Sequence, residues 1–499
     1  MNPPDNAAVS PSRPRFWLGA LAVTLGFVAL RFLVTPLRMK VVTTLLAPED
    51  YGAVTLLSMT VHGLGLIGSL GVFEWLLRHL PALSEDARHT AFRKACLLML
   101  MGGGGVALVG AGLWNHWPVL AGLSTRISLA AALALFTLFL LIQLRIHFFL
   151  GCREHVRART LQLLWSDLWF LPMLALVAAV AWNAERAVWV WAAWLSAALL
   201  MTWRRKAPTT GMAVQSERPL DMPLGNIFRQ SMPILPVLVG DWVFRLTGHY
   251  ALLIHRDAAT MAYYALALNV ALTGQVAGVP LIDLCGVELG RALGLRSGSR
   301  MERPPDAACR IVAQGVRHAL AVALPVWLAL TFLPNDLIAF LTGPTFRDAA
   351  LLLPWAGPLP LLMLFNLLLA RLLMLMGRPK AVAFGSLLGA AAAIVLCAMV
   401  VPKWGAEGAL LAIAASAALI DLLYIVEIRA WRWFRASFSR GLALLAGTLG
   451  QVAVFVLVRQ LPGCAAGRLA VAGGLSVLML FLAKWVRKTD FHAGSEERI

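Results

Sequence analysis

The sequence predicts an all-α polytopic membrane protein with about 14 transmembrane helices, arranged as two pseudo-symmetric six-helix lobes followed by two C-terminal helices. Three observations carry this prediction. Hydrophobic residues make up 60% of the 499-residue chain, and its mean hydropathy is +0.76. Apolar runs long enough to cross a bilayer recur from Phe16 to Trp485. Lys and Arg gather in short clusters between alternate runs, the pattern that sets membrane topology.

Residues 1–15 hold four prolines and few apolar side chains, so they read as a disordered tail. The run 17–46 is too long for a secretory signal core, contains charges and has no clear cleavage site, so it reads as a retained span. Further spans follow near 51–77, 94–114, 125–150, 161–182 and 187–203, closing a first lobe over 16–203. A polar linker covers 204–230. The second lobe, 231–428, has spans near 231–254, 262–285, 311–333, 349–376, 381–401 and 407–428. Helices 13 and 14 occupy 429–486, with spans near 441–460 and 467–486, and 487–499 form a tail. With the N-terminus in the cytoplasm, 30 of the 43 Lys and Arg fall on the cytoplasmic side, which places both termini there. Trp114, Trp182, Trp203, Trp404 and Trp485 sit at span ends, as interfacial aromatics do.

The formal charge of +18 raises a nucleic-acid reading, but the charges are dispersed between spans, so no nucleic acid is expected as a partner. The six cysteines form no CxxC, and the ten histidines show no paired metal spacing, so neither a cofactor nor a metal is expected. Gly63-Leu64-Gly65-Leu66-Ile67-Gly68 matches GxGxxG but lies inside an apolar span, where it reads as a close-packing face. No catalytic constellation or sizeable extramembrane domain supports an enzyme.

The informative residues are charges inside spans. Arg31 and Arg38 are seven residues apart in span one and so share a helix face, pointing to a wet cavity that accepts an anion. Arg38 also lies near enough to the span end to snorkel. Lys40 projects to the opposite side, near the outer boundary. Asp241, Arg245 and His249 are spaced i, i+4, i+8 in span seven and read as one polar stripe, either a self-neutralising pair or a cavity wall. Arg31, Arg38, Arg245, Asp241 and His249 are therefore the candidate substrate-binding residues. The other histidines read as loop or interface residues. Asp167, Asn269, Thr273, Gln275, Asp283, Asn366 and Asp421 read more readily as packing glue, and Arg145 and Arg371 as snorkelling or paired.

Span seven opens the second half as span one opens the first, with prolines (Pro233 and Pro236 beside Pro36) and buried charges. The turns that follow, from Asp50-Tyr51-Gly52 and from Met261-Ala262-Tyr263, share a weak pattern. Six spans per repeat makes the repeats parallel.

Three stretches carry a family resemblance. Leu45-Leu46-Ala47-Pro48-Glu49-Asp50-Tyr51-Gly52, with Leu76-Leu77-Arg78-His79-Leu80-Pro81 after it, resembles an "LLGPEDYG" turn and its span ending. Leu341-Thr342-Gly343-Pro344-Thr345-Phe346 resembles "l.GpeF", and Met376-Gly377-Arg378-Pro379-Lys380 with Val401-Pro402-Lys403-Trp404-Gly405-Ala406-Glu407-Gly408-Ala409 resembles "Gr.k…liP.yGi.GAA". In order and spacing these are similar to the polysaccharide flippase branch of the multidrug/oligosaccharidyl-lipid/polysaccharide exporter superfamily. The resemblance implies a two-lobed alternating-access transporter in the bacterial inner membrane. It would turn undecaprenyl-diphosphate-linked oligosaccharides from the cytoplasmic to the periplasmic leaflet for exopolysaccharide, O-antigen or capsule synthesis, with the polyprenyl tail staying in lipid. Partners would be the lipid-linked glycan, membrane lipids, and the polymerase and chain-length proteins of the pathway. A drug/cation antiporter of the same superfamily and a membrane glycan polymerase or ligase are the alternatives.

Reporters fused after Arg205 and after Lys403 test the topology. The first is expected in the cytoplasm and the second in the periplasm; a swap, or both on one side, refutes the map.

Overall fold

The computed structural model describes residues 14–80, 83, 85–116, 122–152, 154–203, 223–275, 278–279, 282, 285–286, 289, 306–428, 441–460 and 464–476. The tail before Pro14, most of the linker (204–222), Asp283 and the chain after Ser476 lie outside the described residues. Among the described residues all regular structure is helical. Six helices are long and apolar enough to cross a membrane, or seven counting a pair bent by 50° between Pro344–Ala356 and Leu359–Leu375.

The first half comprises α1 (Pro14–Leu45), α2 (Pro48–Gly68), α3 (Val72–His79), α4 (Glu85–Leu113), α5 (Leu129–Gly151), α6 (His155–Ser166), α7 (Phe170–Ala175) and α8 (Ala184–Trp203). The second half has α9 (Leu224–Ser231), α10 (Leu235–His255), α11 (Ala258–Thr273), α12 (Asp306–Phe332), α13 (Pro334–Leu341), α14 (Leu353–Ala356), α15 (Leu359–Leu375) and α16 (Pro379–Ile428). α17 (Gly441–Gln460) follows. The end of the polar linker is helical from Leu224, with Ile227 buried in the core.

The quoted motifs are element boundaries. Pro48 stands in the first turn of α2, where no donor is lost, and Glu49 and Asp50 face the helix's positive end. The 50 residues of α16 are two helices: Gly405, at φ +57° and ψ −132°, folds the chain back on itself. The limbs pack through glycine, since a Cβ on Gly385 or Gly389 would collide with Tyr424 or Ile420 of the returning limb. Tyr424 Oη donates to the Val382 carbonyl at 3.1 Å, and Arg256 donates to the Pro402 carbonyl in the bend at 3.0 Å. The sequence spans 381–401 and 407–428 match these limbs.

Span five is not the continuous helix the hydropathy predicts. α6 stops at Ser166 and α7 starts at Phe170. Pro172 cannot donate to the Leu168 carbonyl, and the Asp167 and Leu168 amides both turn to Leu163 O at 3.0 Å.

The halves meet where the motifs converge. Tyr51 and Tyr263, from the two turns paired as a repeat, both pack edge-on against Phe346, at 5.3 and 6.0 Å between ring centres. The Gly343 amide donates to Thr43 Oγ1 at 2.9 Å. Lys40 donates to the Ala339 carbonyl at 2.9 Å and to Thr342 O, tying α1 to the end of α13. Gly52 lies against Ala258 and Met261 of α11. The main core runs continuously through both halves. A smaller cluster around Leu328, Leu333, Phe455, Val458 and Ala472 attaches α17 and the helical segment 465–476 to α12, with Arg468 paired to Asp336. Arg145 is buried rather than snorkelling: its guanidinium lies over Phe149 at 4.6 Å and donates to the Thr202 carbonyl at 3.3 Å.

Because the Gly405 conformation is open almost only to glycine, Gly405→Val is expected to destabilise the chain by about 1–3 kcal/mol. Gly104→Ala, where a Cβ meets nothing within 4 Å, serves as the control. Thermal unfolding in detergent measures both; equal melting temperatures would show that the bend tolerates a side chain.

Candidate functional site

A cavity of about 720 Å³ lies between the halves. Tyr51, Val54, Thr55, Ser58, Met59, His62 and Leu66 form one face of α2 at helical spacing, and this face lines it. α1 supplies Arg31, Arg38, Met39 and Val42; α5 supplies Gln143, Ile146, His147 and Leu150. The broken span supplies Arg159, Gln162, Trp165, Ser166 and Trp169, backed by Trp191. The second half contributes Asp241, Trp242, Arg245 and Leu246 from α10 and Asn269 and Leu272 from α11. Trp191 stacks on both Trp165 and Trp169, at 5.1 and 4.6 Å, making a stiff aromatic wall.

Asp167 organises the first-half wall. Its side chain is 1% exposed, in the break between α6 and α7. Arg31 Nε lies 2.9 Å from Oδ2 and Arg38 Nη1 3.4 Å from Oδ1. Thr35 donates to Oδ1 at 3.2 Å, and Ser166 Oγ donates to Oδ2. Arg38 also donates to the carbonyl of Ser166, the last residue of α6. Seven residues on a helix span about 10 Å, so the two arginines reach one carboxylate only by leaning toward each other from either side of Thr35. Pro36 sits between them and removes one backbone donor from α1. Asp167, read from the sequence as glue, is thus the counter-ion of both span-one arginines.

On the other wall, Arg245 Nε donates to Asp241 Oδ2 at 2.9 Å. This pair is open to the cavity, with side chains 41% and 50% exposed. His249 does not continue the stripe into the cavity. His249 shares the face of Arg245 and Trp242, but one turn further along α10 that face is covered by Tyr264 of α11. The histidine is fully buried, edge-on to Tyr264 at 4.8 Å between ring centres, with Nδ1 donating to the Arg245 carbonyl at 3.2 Å.

Two other histidines take the place expected of His249. His62 and His147 line the cavity, while His249 is a core residue. His147 stacks on Phe73 at 4.6 Å and donates to the Gln143 carbonyl at 2.7 Å. Arg159, counted among the cytoplasmic charges, also lines the cavity, donating to Gln162 Oε1 at 2.8 Å. Asn269 lines it as well and donates to Tyr51 Oη at 3.2 Å.

No family model and no curated protein matches the chain. Solved structures do. The lipid II flippase MurJ in an inward closed conformation aligns with a TM-score of 0.62 at 10% identity, covering 96% of this chain and 98% of that one. A multidrug resistance transporter of the MATE family, within the MOP superfamily, aligns in an inward-facing conformation with a TM-score of 0.55 at 13% identity, covering 87% of this chain and 97% of that one. A MATE family transporter in an outward-facing conformation gives 0.57 at 13% identity, covering 84% and 95%. The chain is a multi-pass membrane protein with the fold of these transporters, none of which is an enzyme.

Asp167→Asn leaves Arg31 and Arg38 without their buried counter-ion and is expected to cost about 3 kcal/mol. Adding Arg38→Gln should recover part of that loss, because the two changes share one cluster. Thermal unfolding of the single and double variants checks this; simple additivity would show that the contacts carry no coupling.

Proposed function

We propose that this chain is a flippase for lipid-linked glycans, moving undecaprenyl-diphosphate-linked oligosaccharide from the cytoplasmic to the periplasmic leaflet by alternating access. The observation that carries this reading is the charge of the cavity. Four arginines, Arg31, Arg38, Arg159 and Arg245, and one carboxylate, Asp241, line it, and Asp167 lies buried behind Arg31 and Arg38, so the group carries a net charge of +2 with histidines neutral. Guanidinium groups suit a pyrophosphate because they donate in a planar, bidentate fork. Gln143, Gln162, Asn269, Thr55 and Ser58 offer the amides and hydroxyls that a glycan's hydroxyls need. The MurJ-like fold supports a lipid-linked substrate. The antiporter reading fits less well, since both cavity acids are already held by arginines and a cation would enter a positive cavity.

Within this reading, about 14 spans form two six-helix lobes and two further helices, and the distribution of Lys and Arg puts both termini in the cytoplasm. The lacing among Lys40, Thr43, Tyr51, Gly343 and Phe346 closes the periplasmic end of the cavity. Pathway polymerase and chain-length proteins are the expected partners.

Reconstituted protein, given a fluorescent undecaprenyl-diphosphate-linked oligosaccharide, tests the function by leaflet movement without covalent change. Arg31→Ala is expected to abolish or strongly reduce movement, and Arg31→Lys to restore only part of it, since a point charge cannot reproduce the fork. Asp241→Asn should tighten retention and slow turnover, whereas Arg245→Ala should weaken binding. Wild-type movement in Arg31→Ala at matched protein level would sink the phosphate-ligand role. A cavity that moves an organic cation but no lipid-linked sugar would favour the antiporter.

A further inference from the structure

Two tyrosines grip Phe346 at the seam between the halves, and their hydroxyls have different fates. Tyr263 Oη donates to the Thr345 carbonyl at 3.4 Å, so its proton is committed to the backbone of the seam. Tyr51 lines the arginine cavity, and its Oη accepts from Asn269 Nδ2 at 3.2 Å. A phenolic hydroxyl can donate as well as accept. Among the described residues, no group accepts a hydrogen bond from Tyr51 in return. Thr55 and the Arg38 guanidinium are the other polar groups beside this hydroxyl. The ring itself is buried, 6% of the residue being exposed, and packing it against Phe346 requires no hydroxyl.

One side chain thus belongs to two structures. Its ring is part of the seam, and its hydroxyl stands on the cavity wall between a first-half arginine and a second-half amide.

We propose that Tyr51 is a further ligand for the diphosphate head group and couples the occupied cavity to the closed seam, an inference that rests on the flippase reading. A phosphate oxygen held on Arg38 meets the hydroxyl beside that guanidinium and accepts its hydrogen bond. Bonds from O–H to an anionic oxygen are short and strong. Asn269, by donating to the same Oη, polarises the hydroxyl and makes it a better donor. The chain from Asn269 through Tyr51 to the phosphate crosses from the second half to the first. It holds its alignment only while the ring stays clamped on Phe346. Opening the seam parts Tyr51 from Phe346 and Asn269 and weakens this donor. The anion is then bound more tightly with the seam shut than with it open, and is let go where the seam opens.

The experiment measures binding of inorganic pyrophosphate and of undecaprenyl diphosphate to the full-length protein in lipid nanodiscs. Tyr51→Phe keeps the ring and removes the hydroxyl. It is expected to weaken whichever of the two the wild type binds by about tenfold, with an unchanged melting temperature. Tyr263→Phe removes the other hydroxyl of the same seam and should leave affinity within about twofold. Asn269→Ala should cost about threefold alone and nothing further when added to Tyr51→Phe. Spin labels at Thr125 and Lys403, exposed in the first and second halves, follow the seam in a cysteine-free background. Ligand should shift the wild-type distances toward the shorter population, and Tyr51→Phe should reduce that shift at saturation. Wild-type affinity in Tyr51→Phe overturns the proposal. So does an equal loss in Tyr263→Phe, a fully additive loss with Asn269→Ala, or an undiminished shift in Tyr51→Phe. A wild type that binds pyrophosphate but not the lipid diphosphate removes the flippase reading while leaving the Tyr51 comparison intact. A wild type that binds neither removes both.

Discussion

The cavity depends on one buried carboxylate. Asp167 sits where α6 breaks from α7 and draws Arg31, Thr35 and Arg38 onto itself. The Ser166 carbonyl, at the last residue of α6, accepts from Arg38 as well. Without the arginines, a buried carboxylate would carry an uncompensated charge. Three local departures from helical regularity, at Pro36, at the α6–α7 break and at Pro172, thus share one electrostatic centre. That centre fixes α1 against the broken span and so sets one wall of the cavity.

The other wall is joined to the first by contacts of a different kind. At the end of the cavity near Tyr51, the halves are held by aromatic edges, glycine approaches and backbone carbonyls: Phe346 between Tyr51 and Tyr263, Gly52 on α11, Gly343 on Thr43. None of these is a buried ion pair, so separating them strands no charge. If the proposed alternating-access cycle holds, this is the kind of seam that would open, whereas the Asp167 cluster lies within the first half.

Residues that break a local rule were the legible ones. A charge in an apolar run stands out, and Arg31, Arg38, Asp241 and Arg245 all line the cavity. Proline and glycine punctuation likewise marked the bend at Gly405 and the start of α2. What stayed hidden was partnership. Asp167 is an intramembrane acid like Asp421, and nothing in the sequence says that one meets two arginines while the other is buried apart from the cavity. Arg159 resembled a topology charge because α6 begins only four residues before it, close to the basic loop. His62 and His147 sit among apolar neighbours at core-like spacing, so only the packing of α2 and α5 shows which face they take. His249 keeps the face of Arg245, but the sequence does not show that Tyr264 of α11 packs over that face one turn further along.

The two acid–arginine groups differ in a way that bears on a transport cycle. The Asp167 group is closed off, and dissolving it would strand a carboxylate that is 1% exposed. The Asp241–Arg245 pair is wet, about half exposed on both sides, and pairs of that kind contribute about 0–1 kcal/mol. On the proposed flippase reading, an entering pyrophosphate would take Arg245 from Asp241 at little cost and would meet Arg31 and Arg38 as a prearranged, partly neutralised fork. A ligand shifts an equilibrium only by the difference in its affinity for the two states. The exchangeable arginine is in the second half and the fixed ones are in the first. Bound anion would then bridge the halves through charges that are otherwise kept apart, and the state that lets all three guanidiniums reach it is the one the substrate selects.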